Sequence, residues 1–100
     1  MEEELLSKAE NVCRILTCIS HPMRLLIVCM LLKKEMFVME IVEKLGTTKG
    51  NMSQHLKILL SNGLIKKRKS ANKIYYSISD RNLEHVVANL KSLYCPDFEI

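Results

Sequence analysis

The region from residue 36 to residue 78 carries the sequence pattern that most constrains the fold. A short amphipathic stretch ends at Gly46, a residue type typical of helix C-termini. Thr47 or Thr48 can then cap a second helix, in which apolar residues recur on one helix face: Met52, Leu56, Leu59 and Leu60. The pattern predicts two helices joined by a short turn, with the second helix lying between Thr48 and Asn62.

A β-hairpin is predicted directly after these two helices. Its first strand begins at residues 64–65 and runs to Lys69, and residues 70–72 form the turn. In the second strand apolar and polar residues alternate, as expected for a half-buried strand, with one face formed by Ile74, Tyr76 and Ile78.

Apolar spacing predicts further helices over residues 4–17 and 23–34 and a last helix capped by Asp80. The first member of the helix pair described above is predicted over residues 36–44. The resulting order, α-α-α-α-β-β-α, is that of a mainly α winged helix-turn-helix fold with a β-hairpin wing. We expect a single domain over residues 1–100, since a chain of this length can bury roughly 60–70% of its unfolded surface.

Charge is segregated along the chain, although the formal net charge is only +4. Residues 44–79 contain eight basic residues and no acidic residue, whereas the remainder contains seven basic and all eleven acidic residues. This segregation predicts one strongly positive surface, which suits a polyanion such as nucleic acid. Solvated lysines alone could explain a few of these positions.

In a helix-turn-helix, the N-terminal part of the second helix, the recognition helix, contacts base edges in the major groove. The side chains predicted there can hydrogen-bond to base edges or phosphates: Thr48, Lys49, Asn51, Ser53, Gln54, His55 and Lys57. His55 can instead hold the helix through a hydrogen bond within the protein. An ordinary solvated face is the alternative, but such a face would normally mix both charge signs. We therefore predict double-stranded DNA as the partner.

The hairpin adds a second group of basic residues. Its predicted phosphate contacts, which neutralise the DNA backbone independently of sequence, come from Lys67, Arg68, Lys69 and Lys73. A lysine-rich edge strand that blocks aggregation is the alternative explanation.

Other classes of protein find little support in the sequence. It contains no glycine-rich phosphate loop, activated serine or paired carboxylates, so we expect neither an enzyme nor a cofactor. The longest uncharged apolar stretch, residues 25–32, is far shorter than the roughly 18–20 residues that cross a bilayer. Glu2, Glu3 and Glu4 carry the wrong charge for a secretory or transit peptide. We expect a cytoplasmic protein without a membrane partner.

Residues 41–76 resemble the ArsR/SmtB family of bacterial winged-helix repressors. The likeness rests on T-T-K-G-N-M-S-Q-H-L-K-I-L, N-G-L-I and K-I-Y-Y-S-I, preceded by H-P-M-R-L at residues 21–25. This resemblance implies a homodimer that represses by occupying a palindromic operator and releases it on sensing an inducer. The sequence departs from the family pattern in two places. The first turn of the recognition helix contains Gly50, and the wing tip lacks the usual glycine.

Two metal sites found in that family are not matched. Residues 37–43 contain no cysteine, and the positions of a second ligand set hold Asp80, Asn82, Leu93 and Pro96. We predict no metal ligands from these motifs.

Cys29 in L-L-I-V-C-M-L-L and Cys95 in L-K-S-L-Y-C resemble the thiol pair of the branch that includes HlyU, BigR and SqrR. The resemblance implies redox sensing, in which reactive sulfur species or an oxidant act as inducer by cross-linking the two thiols. The alternatives are two inert cysteines, or a thiolate metal- or arsenite-responsive repressor of the same fold. Cys13 and Cys18 are expected to pack in the core or a dimer interface.

The first and last helices carry leucine and valine stripes that a small domain cannot cover fully. Pairing them across a two-fold axis would form a homodimer and hold two recognition helices about one DNA turn apart. A winged-helix module that binds protein rather than DNA is a further alternative, and it would lack the steep salt dependence of DNA binding.

Overall fold

The structure, a computed structural model, describes residues 2–97. Its elements follow in the order α1 (Glu3–Ile19), α2 (Pro22–Lys33), β1 (Met36–Phe37), α3 (Val38–Leu45), α4 (Lys49–Ser61), β2 (Ile65–Ser70), β3 (Lys73–Ile78) and α5 (Asn82–Tyr94). The predicted winged helix-turn-helix architecture is confirmed, and one strand is added to it. The ends of the predicted domain, residue 1 and residues 98–100, lie outside the described residues.

The added strand is β1, where a helix was predicted to begin at residue 36. Met36 lies opposite Tyr76 of β3, and the antiparallel sheet has the order β1-β3-β2. Long-range pairing therefore overrides the helical spacing of these two residues. The helix begins at Val38, and the backbone N–H of Phe37 donates to Glu40 Oε1 at 3.1 Å, which satisfies a free donor at its start.

The core lies between α2, α4 and the sheet. Ile27 and Val28 of α2 are fully buried. Of the four residues predicted to line the inner face of α4, Met52, Leu56 and Leu59 are buried with them, and Leu60 is partly buried. Leu83 and Val87 attach α5 to this core. Each such side chain contributes roughly 1.5–3 kcal/mol when it is fully buried, so the core holds α4 and the hairpin in a defined arrangement.

The turns of the helix-turn-helix and of the hairpin differ in how well their residues tolerate the local backbone conformation. Gly46 ends α3 at φ 64°, a left-handed conformation that glycine adopts without strain. The hairpin turn is shorter than predicted, because Ser70 and Lys73 already pair and leave only Ala71 and Asn72 between the strands. Ala71 takes φ 57°, a conformation that glycine would adopt more easily.

The outer helices leave apolar side chains uncovered. In α1 these are Leu5, Leu6, Val12 and Leu16, and in α5 they are Val86, Leu90, Leu93 and Tyr94. Within residues 2–97, no single helix is both long and apolar enough to cross a membrane; α1 and α2 reach that size and composition only as a pair, bent by 92°.

Candidate nucleic-acid interface

The first turn of α4 is held by side-chain hydrogen bonds on its solvent side. Thr48 is the cap, and its Oγ1 accepts a hydrogen bond from the backbone N–H of Asn51 at 3.1 Å. The Asn51 amide in turn donates to Thr47 Oγ1 at 2.9 Å. A capping bond of this kind stabilises a helix by about 1 kcal/mol, which offsets the weakening by Gly50 within the same turn.

The outer face of α4 carries polar side chains, as the spacing predicts. The exposed residues are Lys49, Asn51, Ser53, Gln54 and Lys57, while Met52 and Leu56 are buried beneath them. Gln54 stands one turn into the helix and takes no part in the capping bonds that engage Asn51. Its amide is therefore available to an external partner.

His55 does not lie on this outer face, although it is among the predicted DNA contacts. Its side chain is buried, with the ring centroid 4.5 Å from that of His21 and Nδ1 3.4 Å from an Arg24 guanidinium nitrogen. Arg24 also donates through Nε to the Cys18 carbonyl at 2.6 Å. Of the two predicted roles for His55, the geometry favours holding the helix over touching a phosphate.

Arg24 is a positioning residue that the sequence argument did not single out. It connects the carbonyls at the end of α1 with His55 in α4, so the recognition helix is tied to the corner between α1 and α2. The signal for it was present in the H-P-M-R-L motif at residues 21–25, which was used only as a family resemblance.

Acidification is expected to destabilise the fold through His55. Burial, followed by the charges of His21 and Arg24, lowers the pKa of His55 from 6.5. As the pH falls below 6.5, the unfolded chain takes up a proton that folded His55 resists, so the free energy of unfolding decreases. Above that pH both states are neutral and the effect disappears.

We expect the loss of unfolding free energy between about pH 7 and pH 5 to be smaller for His55→Gln than for the unaltered chain. Urea denaturation at fixed protein concentration measures this loss. His85→Gln, at an exposed position on α5, is the matched control and should follow the unaltered chain. Identical pH dependence in all three proteins would contradict the argument.

The strand register separates the basic residues of the hairpin into two faces. Lys67 lies opposite Tyr76, and Lys69 lies opposite Ile74, so these two lysines share a face with each other. Arg68 lies opposite Tyr75 and points to the other face. Lys67 and Lys69 are exposed, and no carboxylate within residues 2–97 forms a salt bridge with either of them.

Arg68 is engaged within the protein, contrary to its predicted role as a phosphate contact. Its Nε donates to Glu35 Oε2 at 2.9 Å, its Nη2 donates to Glu35 Oε1, and its guanidinium lies 4.8 Å from the Tyr75 ring centroid. The side-chain hydrogen bonds from Arg68 lower the pKa of Glu35, so the carboxylate stays charged beside the guanidinium. Sequence reasoning missed this pair because Glu35 is 33 residues away from Arg68.

A cleft joins the recognition helix to the hairpin. It has a volume of about 440 Å³, and its lining includes Lys49 and Ser53 from α4, Asn72 at the hairpin turn, and Lys73 and Ile74 of β3. Lys73 Nζ lies 4.1 Å from the Phe37 ring centroid, a cation–π distance that holds its charge beside the cleft. The cleft therefore brings Lys49 and Ser53 of the recognition helix beside Lys73 of the wing, whereas Lys67 and Lys69 do not line it.

The thiols of Cys29 and Cys95 form a second candidate site. Both line a largely apolar cavity of about 250 Å³ between α2 and α5, which Lys91 also borders, and neither forms a disulfide. Burial raises the pKa of the Cys29 thiol, and Lys91 has the largest opposing effect. Cys13 is exposed and Cys18 is buried, and neither lines this cavity.

The alternative of a metal or arsenite site requires about three ligands on a single centre. Among the described residues, no group of three or more His, Cys, Asp or Glu side chains is placed to hold a metal ion.

Comparison with known proteins identifies the family of this arrangement. Residues 21–67 match the family described as "Bacterial regulatory protein, arsR family". The HTH-type transcriptional regulator YgaV of Escherichia coli K12 is 36% identical over 94 residues, which cover 93% of this chain and 95% of YgaV. The chain belongs to the ArsR family. It is a DNA-binding transcriptional regulator with a winged helix, and the predicted family resemblance is confirmed.

Two solved structures place the chain in one branch of the ArsR family. Reduced HlyU from Vibrio cholerae superimposes with a TM-score of 0.86 at 31% identity, covering 94% of this chain and 99% of HlyU. The transcriptional repressor BigR from Xylella fastidiosa gives a TM-score of 0.84 at 30% identity, covering 95% and 98%. The chain is thus similar in sequence and structure to the HlyU and BigR branch, as its cysteine motifs indicate.

Proposed function

We propose that this chain is a homodimeric repressor that binds a palindromic operator through α4 and the hairpin wing and is released by oxidation or persulfidation of Cys29 and Cys95. The observation that carries the proposal is the cleft in which Lys49 and Ser53 of α4 lie beside Lys73 of the wing. No acidic residue interrupts the sequence that forms this surface, residues 44–79.

On this surface the two elements have different roles. Gln54 and Lys49 are exposed in the first turns of α4, where amide and ammonium groups can pair with base edges in the major groove. Asn51 lies beside them, and one donor of its amide is already used by Thr47 Oγ1. Lys67 and Lys69 of the wing, with Lys57 of α4, supply positive charge for phosphates, which positions the protein without reading sequence. Thr48 and Ser53 present hydroxyl groups at the same end of the helix.

A homodimer through α1 and α5 accounts for the apolar side chains that these helices expose. Leu93 is 73% exposed and Leu5 is 59% exposed, and neither exposure is favourable in water. Pairing α1 and α5 of two chains across a two-fold axis would cover these residues and present two copies of α4 to successive turns of the same DNA face. An operator read by such a dimer has two inverted half-sites.

The release step uses the position of Cys95 directly after α5. A bond between Cys29 and Cys95 ties the end of α5 to α2 across the cavity that separates them. Because α5 would also belong to the dimer surface, a Cys29–Cys95 bond changes how the two subunits are oriented. This reorientation changes the spacing of the two α4 helices. The chain would then fit the operator less well.

The salt dependence of DNA binding tests the proposed surface. A duplex of mixed sequence is titrated at several salt concentrations, and sedimentation gives the number of chains per duplex, for which we expect two. Lys69→Gln should reduce the slope of log K against log salt by about two per bound dimer, since each phosphate contact contributes roughly one.

The matched control is the double variant Glu35→Gln/Arg68→Gln, which removes one positive charge from the wing together with its negatively charged partner just before β1. Because Arg68 is already neutralised by Glu35, its slope should equal that of the unaltered chain. Binding that does not weaken with salt, or equal slopes for Lys69→Gln and the unaltered chain, would contradict the proposed interface.

A further inference from the structure

Cys29 lies between two cavities of different character. The apolar cavity described above contains Cys95, and a second cavity of about 200 Å³ approaches Cys29 between α2 and α5. The second cavity is lined by Lys33 and Lys91 as well as by Leu32, Val87, Ala88 and Glu84. Cys29 and Lys91 border both cavities, whereas Cys95 borders only the apolar cavity and Lys33 borders only the second one.

The second cavity carries positive charge that nothing in it neutralises. Its one carboxylate, Glu84, is bound to Arg81, with Oε2 2.9 Å from the guanidinium nitrogen. Neither Lys33 nor Lys91 forms a salt bridge with a carboxylate of residues 2–97. An anion entering this cavity meets the charges of both Lys33 and Lys91, whereas the apolar cavity offers it only Lys91 among largely apolar side chains.

We propose that the cavity lined by Lys33 and Lys91 is the binding site for an anionic sulfur donor, a small persulfide or polysulfide of net negative charge, and delivers it to Cys29. This inference rests on the proposed thiol switch and specifies its ligand class and route. Cys95 lines only the apolar cavity. The donor and the resolving thiol thus reach Cys29 through separate cavities.

The chemistry of this arrangement balances in two displacement steps. The Cys29 thiolate attacks the outer sulfur of a persulfide RS–SH; the RS–S bond breaks, RS⁻ leaves, and Cys29 carries the persulfide group. The Cys95 thiolate then attacks the Sγ of Cys29 and forms a disulfide with it. The bond between Cys29 Sγ and the outer sulfur breaks, and HS⁻ leaves. The two thiolates lose two electrons, which reduce the transferred sulfur to hydrosulfide.

Two alkylating reagents that differ mainly in charge test the anion site directly. Iodoacetate is an anion and iodoacetamide is neutral, and both react with the same thiolate. The ratio of their rate constants at Cys29 therefore cancels the thiolate fraction and reports the effect of the cavity on the reagent. The reactions are followed by peptide mass spectrometry in a Cys13→Ser/Cys95→Ser background.

We expect Lys33→Gln/Lys91→Gln to lower the ratio of iodoacetate to iodoacetamide rates by about 3- to 10-fold, in line with short-range attraction by two partly solvated charges. Added salt should lower the ratio in the parent protein and have little effect in the double variant. Lys44→Gln, at the end of α3, is the matched control and should leave the ratio unchanged.

With the native cysteines restored, sodium polysulfide should release DNA from Lys33→Gln/Lys91→Gln several-fold more slowly, while the reduced protein binds DNA with its original affinity. An unchanged alkylation ratio would overturn the anion site even if DNA release still required Cys29. Conversely, release that persists in Cys29→Ser would overturn the thiol switch, whatever the ratio shows. The two failures are therefore distinguishable.

Discussion

Gln54→Ala is expected to weaken binding to the preferred DNA sequence by at least about 30-fold. A bidentate pairing between an amide and a base contributes roughly 1–3 kcal/mol of discrimination, and a dimer loses two such pairings. Binding to a duplex of scrambled sequence should change little, because Gln54 is uncharged and phosphate contacts dominate there. Alanine favours the helix, so the effect cannot come from unfolding of α4.

The preferred sequence is obtained by selecting duplexes from a randomised pool with the unaltered chain, and affinities are then measured by fluorescence anisotropy. Ser61→Ala, at the exposed far end of α4, is the matched control and should bind both duplexes normally. If Gln54→Ala kept the affinity and the sequence preference of the unaltered chain, α4 would not read bases through this residue.

Polysulfide treatment is expected to reduce the DNA affinity of the unaltered chain about 5- to 150-fold, the usual range for coupling between two sites. Cys29→Ser and Cys95→Ser should each bind DNA when reduced and keep that affinity after treatment. The reason is geometric: only these two thiols line the cavity between α2 and α5 within the described part of the chain. Peptide mass spectrometry should show the two cysteines joined in the treated, unaltered chain.

Cys13→Ser is the control for this second prediction, because Cys13 lies on α1, is exposed and does not line that cavity. It should respond to polysulfide like the unaltered chain. Release of DNA from both Cys29→Ser and Cys95→Ser would place the switch elsewhere in the molecule.

Helix α4 illustrates how much local sequence can predict. The apolar spacing of Met52, Leu56 and Leu59 separates a buried from an exposed face, and the structure confirms that separation. Thr48 as cap and Gly46 as stop are local features, since each depends on the backbone of neighbouring residues only. The charge segregation over residues 44–79 likewise needs no tertiary information.

The individual roles of charged and ionisable side chains were harder to predict. Arg68 looks like its lysine neighbours in sequence, yet Glu35 neutralises it. His55 lies among exposed residues of α4, yet it is buried against Arg24. In both cases the partner comes from a distant segment, so no local pattern reveals it.

The sequence alone determined the order of the helices, the limits of the recognition helix, the hairpin and the position of its positive charge. These features follow from apolar periodicity and helix capping. Both depend on residues that are close together in the chain, so the local sequence is enough to predict them. Only the tertiary structure decided that Met36 and Phe37 join the sheet, which cations of the interface remain unpaired, and that Cys29 and Cys95 share a cavity. Those outcomes depend on distances between residues far apart in the chain, and packing of the core sets such distances.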